Sequence, residues 1–116
     1  MYYISDVKIK YLNVTALSET EVMTFWITEG PMQQVQRFYV QISIGEQTIY
    51  YVESYVPELR ITDLMENTKY NICVHIYFNI DMVINSSSAC EEVTTEQTGN
   101  IFHLFFDFLK SLNDNL

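Results

Sequence analysis

The residues that could carry out catalysis are few and scattered. The two histidines, His75 and His103, fall in different predicted elements, and neither has a cysteine or carboxylate at a recognised metal-ligand spacing. The acidic pair Glu91-Glu92 is typical of charges on a solvated strand edge rather than of a general acid and base. The sequence has three glycines and lacks the glycine-rich loops that bind phosphates or dinucleotides. We therefore predict that the protein is not an enzyme and needs no cofactor or metal.

The two cysteines predict a different kind of chemistry, a cross-strand disulfide. Cys73 falls in a predicted strand, and a hairpin that turns near residues 81–82 places Cys90 opposite it on the next strand. The Cβ atoms of directly opposed residues lie about 4.5–5.5 Å apart, close to the range of a disulfide. The alternation of the strand turns Cys73 outward, whereas a free cysteine is usually buried in a core. A disulfide is therefore favoured, with two unrelated free thiols as the alternative.

Two tripeptides match the acceptor pattern for N-linked glycosylation. Asn13-Val14-Thr15 falls in the first predicted strand, and Asn85-Ser86-Ser87 falls at the tip of the last hairpin. Asn13 and Asn85 are therefore candidate glycosylation sites. Together with a disulfide they favour a secreted or cell-surface protein, because disulfides persist in oxidising compartments. The alternative is an intracellular protein with reduced thiols and no glycans.

Composition limits both the fold and the partners. The chain has 116 residues, of which 48% are hydrophobic and 15% aromatic, and this fits one ordered domain rich in strands. Six Lys and Arg against 15 Asp and Glu give a net charge of −9, so a nucleic acid is an unfavourable partner. No stretch reaches the roughly 20 apolar residues that span a bilayer, and residues 1–6 lack the pattern of a signal peptide. We expect a protein partner and no membrane span in this segment.

Seven short strands must position these residues. Over residues 6–96, runs of β-branched and aromatic residues are separated by polar turns, as in an antiparallel sandwich. The clearest alternation covers residues 38–44 and 70–76, which predicts two strands with one buried face each. Trp26 lies in the second predicted strand and should point inward. The sequence therefore predicts an all-β, seven-stranded, immunoglobulin-like sandwich.

Several of these spacings together resemble the fibronectin type III family. They are Leu12-x-Val14, Val22-x-Thr24-x-Trp26, Val35-x-x-Phe38-x-Val40-x-Ile42 and Leu64-x-x-x-Thr68-x-Tyr70-x-Ile72-x-Val74. The resemblance implies a protein-binding scaffold in which Tyr70 is a tyrosine corner, a buried ring whose hydroxyl bonds to the backbone upstream. The proline usual in this turn is replaced by Glu66 or Asn67.

The resemblance also divides the chain. It implies a domain over residues 11–96 and leaves two segments that the family does not explain: residues 1–10, an N-terminal extension, and residues 97–116, for which the sequence itself predicts a C-terminal amphipathic helix. A weaker resemblance links the sequence to the membrane-proximal domain of class II cytokine receptors, where a disulfide joins the last two strands. There the first cysteine sits beside the tyrosine, whereas Cys73 lies three residues beyond Tyr70.

One face of the sandwich carries the residues that we predict to bind a partner. The third, fourth, sixth and seventh strands should form one sheet, whose outward positions mix aromatic and polar side chains as recognition surfaces do. These positions are Tyr39, Gln41, Tyr51, Glu53, His75 and Tyr77. The alternative is that tyrosine is frequent here only because it favours strands.

The last residues predict an appended amphipathic helix over residues 101–116, with Asn100 as its N-cap. Its apolar stripe recurs at spacings of three and four and consists of Phe102, Phe105, Leu109, Leu112 and Leu116. Leaving seven or eight apolar side chains of the helix in water costs on the order of 10 kcal/mol, so the helix needs a partner. Self-association or docking on another protein is favoured. Packing on its own sandwich and contact with a membrane surface are the alternatives.

These observations predict a function in binding. We expect a non-catalytic, secreted or cell-surface module of the adhesion or receptor type, whose C-terminal helix mediates self-association or partner docking. The alternative function is that of an intracellular scaffold, in which the fibronectin-like domain and the helix assemble a protein complex.

Overall fold

The computed structural model of the chain describes residues 7–78, 88–97 and 108–113, apart from the side chain of Gln34. Seven strands form two antiparallel sheets, as the sequence predicted. The strands are β1 (Lys8–Ala16), β2 (Val22–Glu29), β3 (Val35–Ile44), β4 (Gln47–Ser54), β5 (Glu58–Ile61), β6 (Lys69–Phe78) and β7 (Ala89–Thr94). A short 3₁₀ helix (Met32–Gln34) precedes β3, and residues 108–113 are α-helical.

The strands are divided between a three-stranded sheet of order β1-β2-β5 and a four-stranded sheet of order β4-β3-β6-β7. All pairings are antiparallel. The four-stranded sheet contains the strands that the sequence predicted for it. Its two central strands are β3 and β6, which pair with Val40 opposite Val74 and Ile42 opposite Ile72. The residues of β3 and β6 that alternate with these four therefore point away from the core.

The core lies between the sheets and is built from the inward positions of both. Trp26 on β2 packs edge-to-face against Phe38 on β3, with ring centroids 5.2 Å apart. This contact joins the two sheets through an aromatic pair of favourable geometry. The buried core residues are Val7, Val22, Trp26, Phe38, Val40, Ile42, Ile61, Leu64, Tyr70, Ile72, Val74, Ile76 and Phe78.

The first strand begins earlier than the resemblance implied. β1 starts at Lys8, and Val7 is fully buried in the core, so the sandwich takes in residues 7–10 of the segment predicted as an extension. The pairing of β1 with β2 is shifted by a bulge between Ile9 and Tyr11. Before the bulge the inward positions are odd-numbered (Val7 and Ile9), and after it they are even-numbered (Leu12). The bulge inserts one extra residue into the strand, so all three side chains reach the core.

Tyr70 forms the predicted tyrosine corner. Its ring is buried, and its hydroxyl accepts a hydrogen bond of 2.8 Å from the backbone N–H of Met65. Thr95, just beyond β7, holds the same turn, because its hydroxyl donates to the Met65 carbonyl (2.6 Å) and accepts from the N–H of Thr68 (3.0 Å). Asn67 adopts a left-handed backbone with φ 48°. Proline cannot adopt this angle, so it could not stand at position 67 in this turn.

The hydrogen bond of Tyr70 generates a stability prediction. Replacing Tyr70 with Phe removes the acceptor of the Met65 N–H while keeping the ring, and an orphaned donor of this kind costs about 1–3 kcal/mol. We expect Tyr70→Phe to lower the free energy of unfolding, measured by urea titration, by that amount. Tyr55→Phe, at an exposed ring, is the matched control and should change it by less than about 0.5 kcal/mol. Equal stabilities for the two variants would contradict the role of the hydroxyl.

Candidate binding face

The outer face of the four-stranded sheet is formed by the side chains of β3, β4, β6 and β7 that point away from the core. Tyr39 is the central position, because it pairs with Glu53 on β4 and with His75 on β6. Gln41 pairs in the same way with Tyr51 and Cys73. We call the outer face the binding face and define it by Arg37, Tyr39, Gln41, Tyr51, Glu53, His75 and Tyr77.

Arg37 organises one end of the binding face. Its Nε and Nη2 atoms donate hydrogen bonds of 3.1 and 2.8 Å to the hydroxyl oxygen of Tyr39. Its guanidinium carbon lies 4.4 Å from the centroid of the Tyr77 ring, within the range of a cation–π contact. The rings of Tyr39 and Tyr77 meet edge-to-face, 5.6 Å apart, and Glu53 lies 3.7 Å from the Arg37 Nε. These contacts fix the rotamers of the cluster before any partner binds.

The hydrogen bonds also limit which further hydrogen bonds Tyr39 can form. Two N–H groups of Arg37 already occupy the acceptor side of the hydroxyl oxygen, so its remaining capacity is to donate its hydrogen. Among the described residues, none accepts that hydrogen. The same hydrogen bond raises the pKa of Arg37 above its ordinary value, so the guanidinium is charged at any physiological pH. The cluster therefore presents a donor beside a positive charge.

His75 belongs to a second, polar network on the same face. Its Nε2 lies 2.8 Å from the Oε1 of Gln41, and the Nε2 of Gln41 donates to the Thr48 hydroxyl at 2.6 Å. Because an amide oxygen can only accept, the His75 Nε2 carries the hydrogen. Burial lowers the pKa of His75 below its ordinary value of 6.5. The imidazole is therefore neutral at neutral pH, and the network links β6 to β4 across β3.

The predicted face residues differ in how far a partner could touch them. Tyr51 is 58% exposed, whereas Tyr39 and His75 are half-buried. Tyr77 points outward as expected but is only 8% exposed, because Arg37 and Tyr39 cover its ring. Tyr77 can therefore support the face but offers little surface to a partner. Sequence reasoning missed Arg37, although it directly precedes the inward-pointing Phe38 and so had to point outward.

The predicted disulfide is present beside the binding face. Cys73 on β6 and Cys90 on β7 are directly opposed, with their Cα atoms 4.0 Å apart and their sulfur atoms bonded. Cys73 faces outward, as the alternation predicted, yet it is buried. The Cys73 sulfur is covered by the bonded sulfur of Cys90 and by the side-chain amide of Asn71, whose nitrogen lies 3.5 Å from it. The disulfide attaches the edge strand β7 covalently to the centre of the sheet.

The other predicted site residues are divided between the described and the undescribed parts of the chain. Asn13 lies on the outer face of the three-stranded sheet, opposite Phe25. Leu109 and Leu112 are exposed on the helical residues 108–113. Asn85, Phe102, Phe105 and Leu116 lie outside the described residues.

Within residues 7–78, 88–97 and 108–113, no three His, Cys, Asp or Glu side chains are grouped so that they could hold a metal ion. The same residues contain no helix that could span a bilayer.

Comparison with solved structures identifies the fold. Domains d3-d4 of the rat CD45 extracellular region align over 76% of this chain and 48% of theirs, with a TM-score of 0.67 and 11% identity. The fn3 domain of human contactin 1 aligns over 78% of this chain and 77% of its own, with a TM-score of 0.62 and 17% identity. The fn3 domain of the human collagen alpha-1(XX) chain aligns over 76% and 83%, with a TM-score of 0.63 and 15% identity.

The chain has the fibronectin type III fold. No protein-family model matches the sequence, and no curated protein matches it. The likeness therefore lies in the structure and not in the sequence. This chain spans about half of the CD45 fragment, which holds two domains. The candidate binding face lies on the larger sheet of this fold.

The half-buried, neutral His75 generates a pH prediction. Its pKa is lower in the folded state than in the unfolded chain, where it is about 6.5. As the pH falls through about 6.5, His75 binds a proton in the unfolded chain but not in the folded state, so the free energy of unfolding decreases. The loss stops once the pH is below the folded pKa. His75→Gln keeps an amide donor near Gln41 and removes this titration.

Urea unfolding of both proteins at pH 8, 7, 6 and 5 measures the effect. The difference in the free energy of unfolding, wild type minus His75→Gln, should be constant above pH 7 and decrease below about pH 6.5. The carboxylates and His103 are common to both proteins and cancel in the difference. A difference that does not change with pH would show that His75 titrates normally in the folded protein.

Proposed function

We propose that the chain is a non-catalytic protein-binding module of the adhesion or receptor type that acts outside the cell or at its surface. The observation that carries the proposal is the preorganised cluster of Arg37, Tyr39 and Tyr77 beside the exposed Tyr51. Tyrosine and arginine are the residue types that most often dominate binding energy at protein interfaces. A rigid cluster of them loses little side-chain entropy when a partner binds.

The geometry of the cluster specifies the chemistry of the partner. Tyr39 has a hydroxyl hydrogen to donate, and the charged Arg37 lies next to it. The matching group on the partner is a hydrogen-bond acceptor, and a carboxylate or a backbone carbonyl fits best. An apolar group packed beside it would contact the exposed ring of Tyr51. The partner is thus a protein surface that offers an acceptor next to an apolar side chain.

Two observations support an extracellular location. The disulfide between Cys73 and Cys90 is of a kind that is rare in the reducing interior of cells. The structurally similar CD45 domains belong to an extracellular region. The predicted alternative, an intracellular scaffold, would have kept both thiols reduced. The disulfide favours the extracellular function over that scaffold.

The C-terminal helix is proposed as the second contact element. Residues 108–113 are helical, and Phe108, Leu109 and Leu112 are exposed there. Exposed apolar side chains on one helical turn are stabilised when another surface covers them. We propose that this surface belongs to a second copy of the chain or to the bound partner.

Photocrosslinking tests the binding face. Tyr51→p-benzoylphenylalanine places the crosslinker on the binding face, and Arg60→p-benzoylphenylalanine places it on the outer face of the other sheet as a matched control. The full chain is incubated with intact cells from the source tissue and irradiated. We expect a crosslinked cell-surface protein from position 51 and none from position 60. Adding Tyr39→Ala should reduce the crosslinked yield about tenfold, which corresponds to a loss of about 1.4 kcal/mol.

Tyr39→Phe sharpens the same experiment, because it removes only the hydroxyl that donates to the partner. We expect most of the loss seen with Tyr39→Ala to appear with Tyr39→Phe as well. Tyr11→Phe, at an exposed ring on the other sheet, should leave the yield unchanged. Equal crosslinking from positions 51 and 60, or a yield that Tyr39→Ala does not change, would contradict the proposed face.

Light scattering tests the helix. We expect the full chain to form a dimer or larger species at micromolar concentration and a chain ending at residue 96 to be monomeric. The double variant Leu109→Ser, Leu112→Ser should also be monomeric without a truncation, because two exposed apolar side chains are removed. Lys110→Gln, on the same turn, is the control and should keep the larger species. A full chain that is monomeric excludes self-association.

A further inference from the structure

The outer face of the three-stranded sheet exposes three large apolar side chains that lie next to one another. Tyr11 on β1 is 48% exposed, and Phe25 and Ile27 on β2 are 41% and 52% exposed. Tyr11 lies directly opposite Ile27, and its ring centroid is 6.0 Å from that of Phe25. The three residues form a continuous strip, which we call the aromatic strip. Contiguous apolar surface of this kind is usually covered by another group.

The glycosylation tripeptide lies beside the aromatic strip. Asn13 follows Tyr11 by two residues, so both side chains project from the same face of β1, and Asn13 pairs with Phe25 across the sheet. The Thr15 hydroxyl donates a 2.9 Å hydrogen bond to the Oδ1 of Asn13. The Nδ2 of Asn13 lies 3.4 Å from the Tyr11 hydroxyl. The Asn13 Nδ2, the atom that would carry a sugar, is therefore directed toward the Tyr11 side chain.

The side chain of Asn13 is partly exposed on an edge strand. Among the described strands, β2 alone pairs with β1 in its sheet. A pyranose ring attached to Asn13 has an apolar face of C–H groups, and the negative faces of aromatic rings attract such groups. Phe25 and Tyr11 are the rings within reach. Any protein that docked on the strip would have to share it with this substituent.

We propose that Asn13 carries an N-linked glycan whose first sugar packs on Tyr11 and Phe25, so that the glycan is the cover of the aromatic strip. The donor is an oligosaccharide on a polyprenyl pyrophosphate. The Asn13 Nδ2 forms a bond to the anomeric carbon, the bond from that carbon to the pyrophosphate oxygen breaks, the lipid pyrophosphate leaves, and the amide gives up one proton. The inference rests on the proposed extracellular location, because the transfer takes place in the secretory route.

Occupancy is tested on the full chain carrying Asn85→Gln, secreted from animal cells behind an added leader. This background leaves Asn13-Val14-Thr15 as the only acceptor tripeptide. We expect a mass increase of one N-linked glycan, and its loss in Thr15→Val, which keeps the shape of the side chain and removes the acceptor pattern. Secreted protein without the glycan overturns the inference. The added leader makes this result independent of where the chain normally resides.

Packing is tested by thermal unfolding of four proteins that combine Thr15 or Thr15→Val with Phe25 or Phe25→Thr. The glycan should raise the melting temperature by about 3 °C or more when Phe25 is present and by less than about 1 °C when it is absent. Phe25→Leu, which keeps apolar bulk without a ring, should behave like Phe25→Thr. Tyr51→Thr on the opposite face is the control and should leave the glycan effect unchanged.

The two proposals fail separately. An equal glycan effect with and without Phe25 overturns the packing on the aromatic strip and leaves the binding face of the other sheet untouched. Conversely, a chain that binds nothing through Tyr39 still reports on Asn13, because neither occupancy nor unfolding requires a partner.

Discussion

The pairing of β3 with β6 is the constraint on which both the core and the binding face depend. Side chains alternate across a strand, so the register that places Val40 beside Val74 in the core also places Tyr39 beside His75 outside. A slip of one residue would exchange the two sets and bury a charged and polar surface. The apolar residues on the inward side therefore hold the outward residues in place, and the binding face needs no stabilisation of its own to exist.

That arrangement explains how a strongly acidic chain can present a positive group at one defined point. The net charge of −9 gives the surface a general negative potential, but it does not decide what touches a partner. Arg37 is 20% exposed, and Tyr39, Tyr77 and Glu53 all contact it. Neighbours on three strands therefore fix the position of its charge. The net charge sets the long-range electrostatic attraction, whereas the position of Arg37 sets the local contact, and the two properties are separate.

Strong alternation made much of the fold predictable from sequence, and local departures from it set the limits. The alternation of Phe38, Val40 and Ile42 predicted β3 and its inward side correctly. The disulfide between Cys73 and Cys90 was predicted from a hairpin that turns near residues 81–82 and places the two cysteines opposite each other. The irregular series Val7, Ile9, Leu12 and Val14 left the start of β1 uncertain, because a bulge that changes parity is not visible in a sequence.

The accessibility of the face residues was harder to predict than their direction. Tyr77 faces outward, but its exposure depends on the rotamers of Arg37 and Tyr39, which alternation does not specify. Cys73 is covered for a similar reason, by its bond to Cys90 and by Asn71. A pattern of period two determines the side of the sheet on which a residue lies. Its exposure depends on neighbours that are distant in sequence.

The two outer faces of the sandwich differ in how their side chains are held, and this argues for a division of roles between them. Hydrogen bonds and a cation–π contact link the side chains of the four-stranded sheet, so this surface is prearranged. The three-stranded sheet exposes Tyr11, Phe25 and Ile27 beside the glycosylation tripeptide. A glycan over these three residues would leave the four-stranded sheet as the surface open to other proteins. The proposed glycan would then protect an exposed apolar surface from unspecific contacts, while the proposed partner binds the opposite sheet.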